Sequence, residues 1–387
     1  MKSLPTVLLS AALLSAAHAG EAVTTTSSSG KAPLEAVAPK KEESIYDKIW
    51  GLATLYEDKS NPFLQKLALT GRYHGQYYMV DDGDSSDNDW ENRRIRVGLK
   101  GDFLQDFSFN VQVDLNPDVN PSYTGLTDAY VEWKPSKAFR LRVGKQAVEY
   151  TYEGSTSSNE ILTIERSIIT STVWPSPEYI TGAVASGSVG NWVYAVGGFA
   201  GDLEKEFSQF DGGAGILAKI GYDFSGAVGL DKALLVAGYF YNDGDSGNTA
   251  LRKFSNTGSL SLQLAQGRVG LVTDFLAAEG LGTQPDVFGF LVMPYFNLTE
   301  KLQAVLRYTY ANSDGDNGLS LASRYEQKLE SGKGDEHQAI YGGLTYRFYG
   351  DKLKVMSGVE YSDMKDSAHD GGSFNGWTWV SAVRLSF

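Results

Sequence analysis

The chain has no cysteine among its 387 residues, which excludes disulfides, thiol nucleophiles and cysteine metal sites. Histidine is scarce, with four copies, and no Gly-x-Ser-x-Gly turn occurs. His74, His337 and His369 are the histidines that follow the N-terminal leader, and with no such turn they offer no recognisable relay for a serine nucleophile. Positive charge is also short, at 34 basic against 47 acidic side chains, so the chain is a poor partner for nucleic acid. The N-terminal apolar run LPTVLLSAALLSAA falls short of the roughly 20 residues that span a membrane as a helix. Lys2 precedes it and Ala-His-Ala closes it at 17–19, the layout of a secretory signal peptide over 1–19 cut after Ala19. Its removal takes Lys2 and leaves 33 basic against 47 acidic residues, a net charge of −14. A secreted chain without cysteine is not a disulfide scaffold. What is abundant is 43 Gly, 22 Tyr, 18 Phe and 7 Trp beside only 11 Pro, a composition for many short strands and turns.

Residues 20–44, rich in Ser, Thr, Ala and Pro without periodicity, read as a disordered periplasmic linker. Residues 45–60 then place Ile45, Ile49, Leu52 and Tyr56 at heptad-like spacing, which predicts a short periplasmic helix. It either joins copies of the protein or lies on the rest of the chain.

From Lys66 onward the period changes to two. In KLALTGRYHGQYYMV, Leu67, Leu69, Tyr73, Tyr77 and Met79 share one parity against Thr70, Arg72, His74 and Gln76 on the other. In DFSFNVQVDL, Phe107, Phe109, Val111, Val113 and Leu115 alternate with Ser108, Asn110, Gln112 and Asp114. Such alternation over about ten residues is a strand with one apolar and one polar face. Sixteen segments qualify, near 66–80, 90–101, 105–115, 125–134, 138–146, 179–188, 191–200, 213–224, 231–241, 256–266, 268–278, 286–296, 301–311, 338–348, 352–362 and 376–387.

The connections alternate in length. DFLQ, KPSK, GN, NLTE and YGDK are tight, whereas DDGDSSDND, 147–178, 242–255, 312–337 and 363–375 are long and polar. A transmembrane antiparallel β-barrel over 61–387, with short periplasmic turns and long outer loops, predicts that asymmetry, and a soluble sandwich does not. Sixteen strands enclose a lumen too wide for side chains to fill, so the polar parity faces water and the apolar parity faces lipid. Aromatics at strand ends (Tyr77, Trp90, Trp133, Tyr310, Tyr346, Phe348, Tyr361, Trp377) suit interfacial girdles.

The run RRIRVGLKGDFLQDFSFNVQVDLNPD, followed by LTDAYVEWKP, FRLRVGKQ and ERS at 165–167, resembles the family of phosphate-selective porins O and P. The resemblance covers roughly residues 66–387 and is strongest over 90–182. It implies an outer-membrane porin of a Gram-negative-type bacterium, embedded in lipid and lipopolysaccharide, a homotrimer, without a cofactor or metal. It also implies that the third outer loop folds inward and constricts the pore. By segment count that loop is 147–178.

Parity names the wall. Asn92, Arg94, Arg96 and Lys100 oppose Ile95, Val97 and Leu99, and Arg140 and Arg142 oppose Leu141 and Val143. With Arg72, His74, Arg307, Arg347 and Arg384 they form an arginine-rich lumen set, whose fixed charge favours anions. The competing expectation is that these cations pair with Asp114, Asp128, Glu132 and Asp274 and only stabilise the wall. The loop carries Glu149, Glu153, Glu160 and Glu165 against Arg166, with Tyr150, Tyr152 and Trp174, and no lysine. A tight phosphate site needs converging cations, so a sugar or general small hydrophilic solutes fit this loop at least as well.

The acidic tracts DDGDSSDND, NDGDSGN and SDGDNG lack the terminal Glu of a twelve-residue calcium loop and read as solvated turns. An outer-membrane barrel enzyme and a structural or adhesive barrel remain as alternatives to a porin. The last strand, GWTWVSAVRLSF, must pair with the first to remove both sheet edges. Its terminal Phe387 is similar to the signal read by the barrel-assembly machinery.

Overall fold

The computed structural model describes residues 43–175, 178–202, 206–249, 251 and 253–387. The expected signal peptide over 1–19, and the linker over 20–44 as far as residue 42, lie outside the described residues. The barrel strands are β1 Leu64–Asp81, β2 Ser86–Phe103, β3 Phe107–Leu115, β4 Tyr123–Trp133, β5 Arg140–Ala147, β6 Tyr179–Val189, β7 Trp192–Ala200 and β8 Ala214–Asp223. They continue as β9 Lys232–Asn242, β10 Phe254–Gln266, β11 Val269–Gly280, β12 Val287–Asn297, β13 Leu302–Ser313, β14 Glu336–Tyr349, β15 Leu353–Lys365 and β16 Phe374–Ser386. Each pairs antiparallel with its sequence neighbour, and β16 pairs with β1 through Arg384 opposite His74 and Ser386 opposite Arg72. All sixteen expected segments are therefore present among the described residues, and the cylinder is closed.

Closure is completed by the last residue. Phe387 and Gly71 exchange both backbone hydrogen bonds at 3.1 Å. A Cβ at Gly71 would stand 2.8 Å from the Phe387 ring, so only glycine lets the terminal phenyl lie across this seam.

Burial is the reverse of a soluble protein. Val97, Leu99, Val111, Val143, Phe275, Leu306, Ile340 and Trp377 point outward and are exposed, while Arg94, Arg96, Arg307, Lys354 and Arg384 point inward and are buried. Apolar outside and charged inside is the pattern of a barrel in lipid, where closure satisfies every strand hydrogen bond. No described helix is long and apolar enough to cross a membrane.

Two expectations change. DDGDSSDND is not a long loop: β1 and β2 extend to Asp81 opposite Ser86 and leave only a turn at 82–85. Carboxylates tie the turn, Asp81 Oδ1 accepting from the Gly83 N–H at 2.8 Å and Asp82 Oδ1 from the Ser85 N–H at 2.7 Å. The expected helix over 45–60 is only α1, Ile45–Gly51, and Thr54–Glu57 instead adds a short strand against Lys66–Ala68. Ser44 and Asp47 form a capping box at the start of α1. Ile45, Ile49 and Leu52 are exposed. The helix rests on the short-turn end through Tyr46, stacked on Tyr349, and Trp50, which donates to the Ser386 carbonyl at 2.6 Å. It lies on the barrel, by a face other than the expected stripe.

Candidate functional site

A bulge sets the lumen chemistry. Opposite β1, His74 pairs with Arg94 and Gly75 with Asn92, so Arg93 is the extra residue of β2. A bulge re-aims side chains and turns the strand. Arg93 and Arg94 consequently both enter the lumen, while Asn92, expected inward, faces out and accepts from the Tyr73 hydroxyl at 3.1 Å. The bulge reverses the parity upstream, which puts Glu91 inward, beside Gln76 at 2.6 Å.

Residues 148–175 fold into the barrel and bury Val148, Tyr150, Ile161, Ile164, Ile169 and Val173. They contain two short helices, Tyr152–Ser155 and Ile168–Val173. Strands from both sides of the lumen hold them. Arg307 reaches Glu153 at 2.9 Å and the Glu165 carbonyl at 2.9 Å, and its other arm holds Glu360 at 2.7 Å. Arg93 grips Glu165 with two bonds, at 2.7 and 3.2 Å. Arg384 donates to Gln76 and to the Ile164 carbonyl, Arg72 to Ser158 at 2.7 Å, and His74 meets Asn159 at 2.9 Å. Asp274, expected to pair with an arginine, instead accepts the Tyr152 N–H at 2.8 Å. Burial works to raise the Glu165 carboxyl, but Arg93 overcomes it and holds the group well below the usual carboxylate range.

The loop carboxylates therefore do not act as one acidic patch. Glu153 and Glu165 are matched by arginines, and Glu178 lies 3.9 Å from Arg94 and 3.8 Å from Arg166. Arg166 also donates to the Glu153 and Thr156 carbonyls and stacks over Trp174, so it organises the loop from within. Glu160 is exposed.

A second segment, a long polar loop by its sequence, also enters the lumen. Residues 318–330, between β13 and β14, bury Leu319, Leu321, Tyr325 and Glu326. The Tyr325 hydroxyl accepts from Gln76 at 2.6 Å, Arg324 meets Glu91 at 2.7 Å, and Thr378 donates to Glu326 at 3.1 Å. Burial, followed by the neighbouring Glu360, pushes the Glu326 carboxyl up to about 7. Four apolar residues in a polar run, Leu319, Leu321, Tyr325 and Leu329, were the available signal.

Two cavities flank the inward loop. One of about 590 Å³ runs along the inner faces of β5–β10 to Lys134 and Lys137 at the short-turn end. The cations on it are Lys134, Lys137, Arg140, Arg142 and Lys219, and the carboxylate is Glu149. Arg142 is held by Glu132 at 3.1 Å and lies over the Tyr130 ring; Arg140 donates to Ser186 at 2.7 Å and is exposed. The other cavity, about 400 Å³, lies between the two inward segments and β14–β16.

The expected arginine set thus divides. Arg72, Arg307 and Arg384, with His74, grip the loop; Arg94 stands beside Glu178 at its end; Arg96 binds Tyr179 at 2.6 Å and Asp114 at 3.4 Å. Arg140 and Arg142 face the larger cavity. Lys100 sits in a separate recess with Lys66, and Arg347 binds Asp351 at 3.2 Å beyond the constriction. Arg93, Lys145, Lys219, Glu360 and Glu326 were missed.

A closed sixteen-strand barrel, apolar outside and arginine-lined inside, with a loop folded across its lumen, defines an outer-membrane channel of the porin class. The chain belongs to the phosphate-selective porin O and P family, whose model matches residues 67–272. No curated relative matches by sequence. Among solved structures, it is similar to an anion-selective porin from Comamonas acidovorans, at 12% identity and TM-score 0.61 over 83% of this chain and 99% of that one. Pseudomonas putida OprB gives 12% and 0.60 over 83% and 94%. Salmonella typhi OmpF, in complex with daunomycin, gives 13% and 0.58 over 86% and 100%. At these identities the likeness concerns the fold.

Proposed function

We propose that this porin passes small hydrophilic solutes by diffusion with a preference for anions, set along the β5–β10 side of the lumen. One observation carries this: Lys134, Lys137, Arg140, Arg142 and Lys219 line the 590 Å³ cavity against Glu149, with Glu132 paired to Arg142. A pore wall with that excess of fixed positive charge concentrates anions and repels cations. Phosphate is not singled out. The loop over 147–178 has no lysine, and Arg93, Arg307 and Arg142 already hold carboxylates. Purified protein in a planar bilayer should give stepwise conductance and an anion-signed reversal potential in a salt gradient, with millimolar phosphate blocking chloride current weakly. A cation-signed potential would refute the proposal.

The working unit in this account is a homotrimer. On the outward face of β5 and β6, Lys145 and Thr181 are covered by Glu206 at 2.9 Å and the Ser208 N–H at 3.1 Å, with Phe207 and Phe210 exposed beside them. Polar groups on an outward face favour a neighbouring subunit over lipid. The short-turn end and α1 face the periplasm after removal of residues 1–19, the β16 terminus serves the barrel-assembly machinery, and lipopolysaccharide surrounds the loop end.

A further inference from the structure

The smaller cavity carries a charge balance unlike its neighbour's. Arg93 is matched by Glu165, Arg307 by Glu153 and Glu360, and Arg324 by Glu91. What remains unmatched is a set of hydrogen-bonding atoms. Ser362 Oγ, His337 Nδ1, Glu326 Oε2 and Arg307 Nε have no hydrogen-bond partner, and their residues are 1%, 4%, 4% and 3% exposed. All four residues line this cavity. Three are close in the sheet: Ser362 stands opposite Ala339, two residues from His337, and Thr378 on the next strand holds Glu326 by its other oxygen. Buried polar atoms in native proteins are almost always paired, so four lining one space call for a ligand.

The chemistry of these atoms narrows it. The serine hydroxyl donates and accepts, the imidazole nitrogen does one or the other, and a carboxyl raised to about 7 does both near neutrality. The complementary ligand group is a hydroxyl, which also donates and accepts. Tyr325 and Tyr341 add ring surface to the wall. An anion would find Arg93 engaged by Glu165 and, at Arg307, one open N–H facing a wall that also carries Glu326 and Glu360, and a cation would meet the arginines' field. The 400 Å³ volume lies within the range of small-molecule sites, about 300–1,000 Å³.

We propose that the chamber between segment 318–330 and the inward loop is a binding subsite for a neutral polyhydroxylated solute of mono- to disaccharide size, held by Ser362, His337 and Glu326. This rests on the lumen being a solute path. Maltose should be titrated calorimetrically into the detergent-solubilised full-length protein, with inorganic phosphate and lysine as charged alternatives. The expected result is saturable maltose binding that neither phosphate nor lysine competes away. Ser362→Ala and His337→Phe should each weaken it about tenfold. Ser261→Ala, in the larger cavity, should leave it unchanged. Ser362→Ala removes one hydroxyl and keeps the fold, so it decides the matter even where His337→Phe does not assemble. Absence of maltose binding by a protein that conducts in bilayers would overturn the subsite and leave the channel. Maltose binding with the expected variant pattern in a protein that never conducts would support the subsite and remove the channel reading. Unchanged binding in Ser362→Ala, or displacement by phosphate or lysine, would also overturn it.

Discussion

The two sides of this lumen use the same residue type for opposite purposes. On the side formed by β13–β16 and β1–β2, arginines hold residues 148–175 in place: Arg307 and Arg93 through carboxylates, Arg384 and Arg72 through neutral groups away from the larger cavity. On the β5–β10 side, Arg140 and Lys219 line open space opposite Glu149, beside Arg142, which Glu132 holds. A guanidinium matched by a carboxylate contributes little net field, whereas an excess of unmatched cations polarises the water beside it. Architecture and selectivity are thus carried by different halves of one wall, and substitutions should separate them.

The largest break should come from Arg307→Ala. It leaves Glu153 and Glu360 without their shared cation, a loss of about 3–5 kcal/mol for a buried pair. Denaturant unfolding in detergent should show it, with noisy, larger single-channel currents as the loop comes free. Arg384→Ala is milder, because Gln76 and the Ile164 carbonyl are neutral acceptors; roughly 1.5–3 kcal/mol is expected.

A smaller effect is set by pH. The Glu326 carboxyl sits at about 7 when segment 318–330 is docked, raised by burial and then by Glu360. A carboxyl raised on docking binds more protons in the docked state, so docking is favoured at low pH and weakens as pH rises through about 7. Protection factors of residues 318–330, with the intrinsic base-catalysed exchange rate divided out, should be larger at pH 5.5 than at pH 8, and Glu326→Gln should remove the difference.

The barrel was legible because period two over ten residues has one meaning and because the connections alternate in length. The wall residues were legible by parity, except from Arg93 back to Glu91, where a bulge opposite Gly75 reverses the period and leaves only an arginine doublet as its trace. Which arginines are spent on the loop was not legible. Glu153 and Arg307 are 154 residues apart and meet only through closure of the cylinder and folding of the loop across it. The exposed face of α1 shows the same limit, since heptad-like spacing of Ile45, Ile49 and Leu52 described a stripe that the barrel does not use.

The division of the wall is tested most directly by reversal potentials in a potassium chloride gradient for Arg140→Ala/Lys219→Ala and for Arg384→Ala. The first variant should move toward cation preference while keeping wild-type stability, and the second should keep the wild-type potential while losing stability. A selectivity loss in Arg384→Ala equal to that of the double variant would contradict the account, because the buried arginines would then share the work of selection.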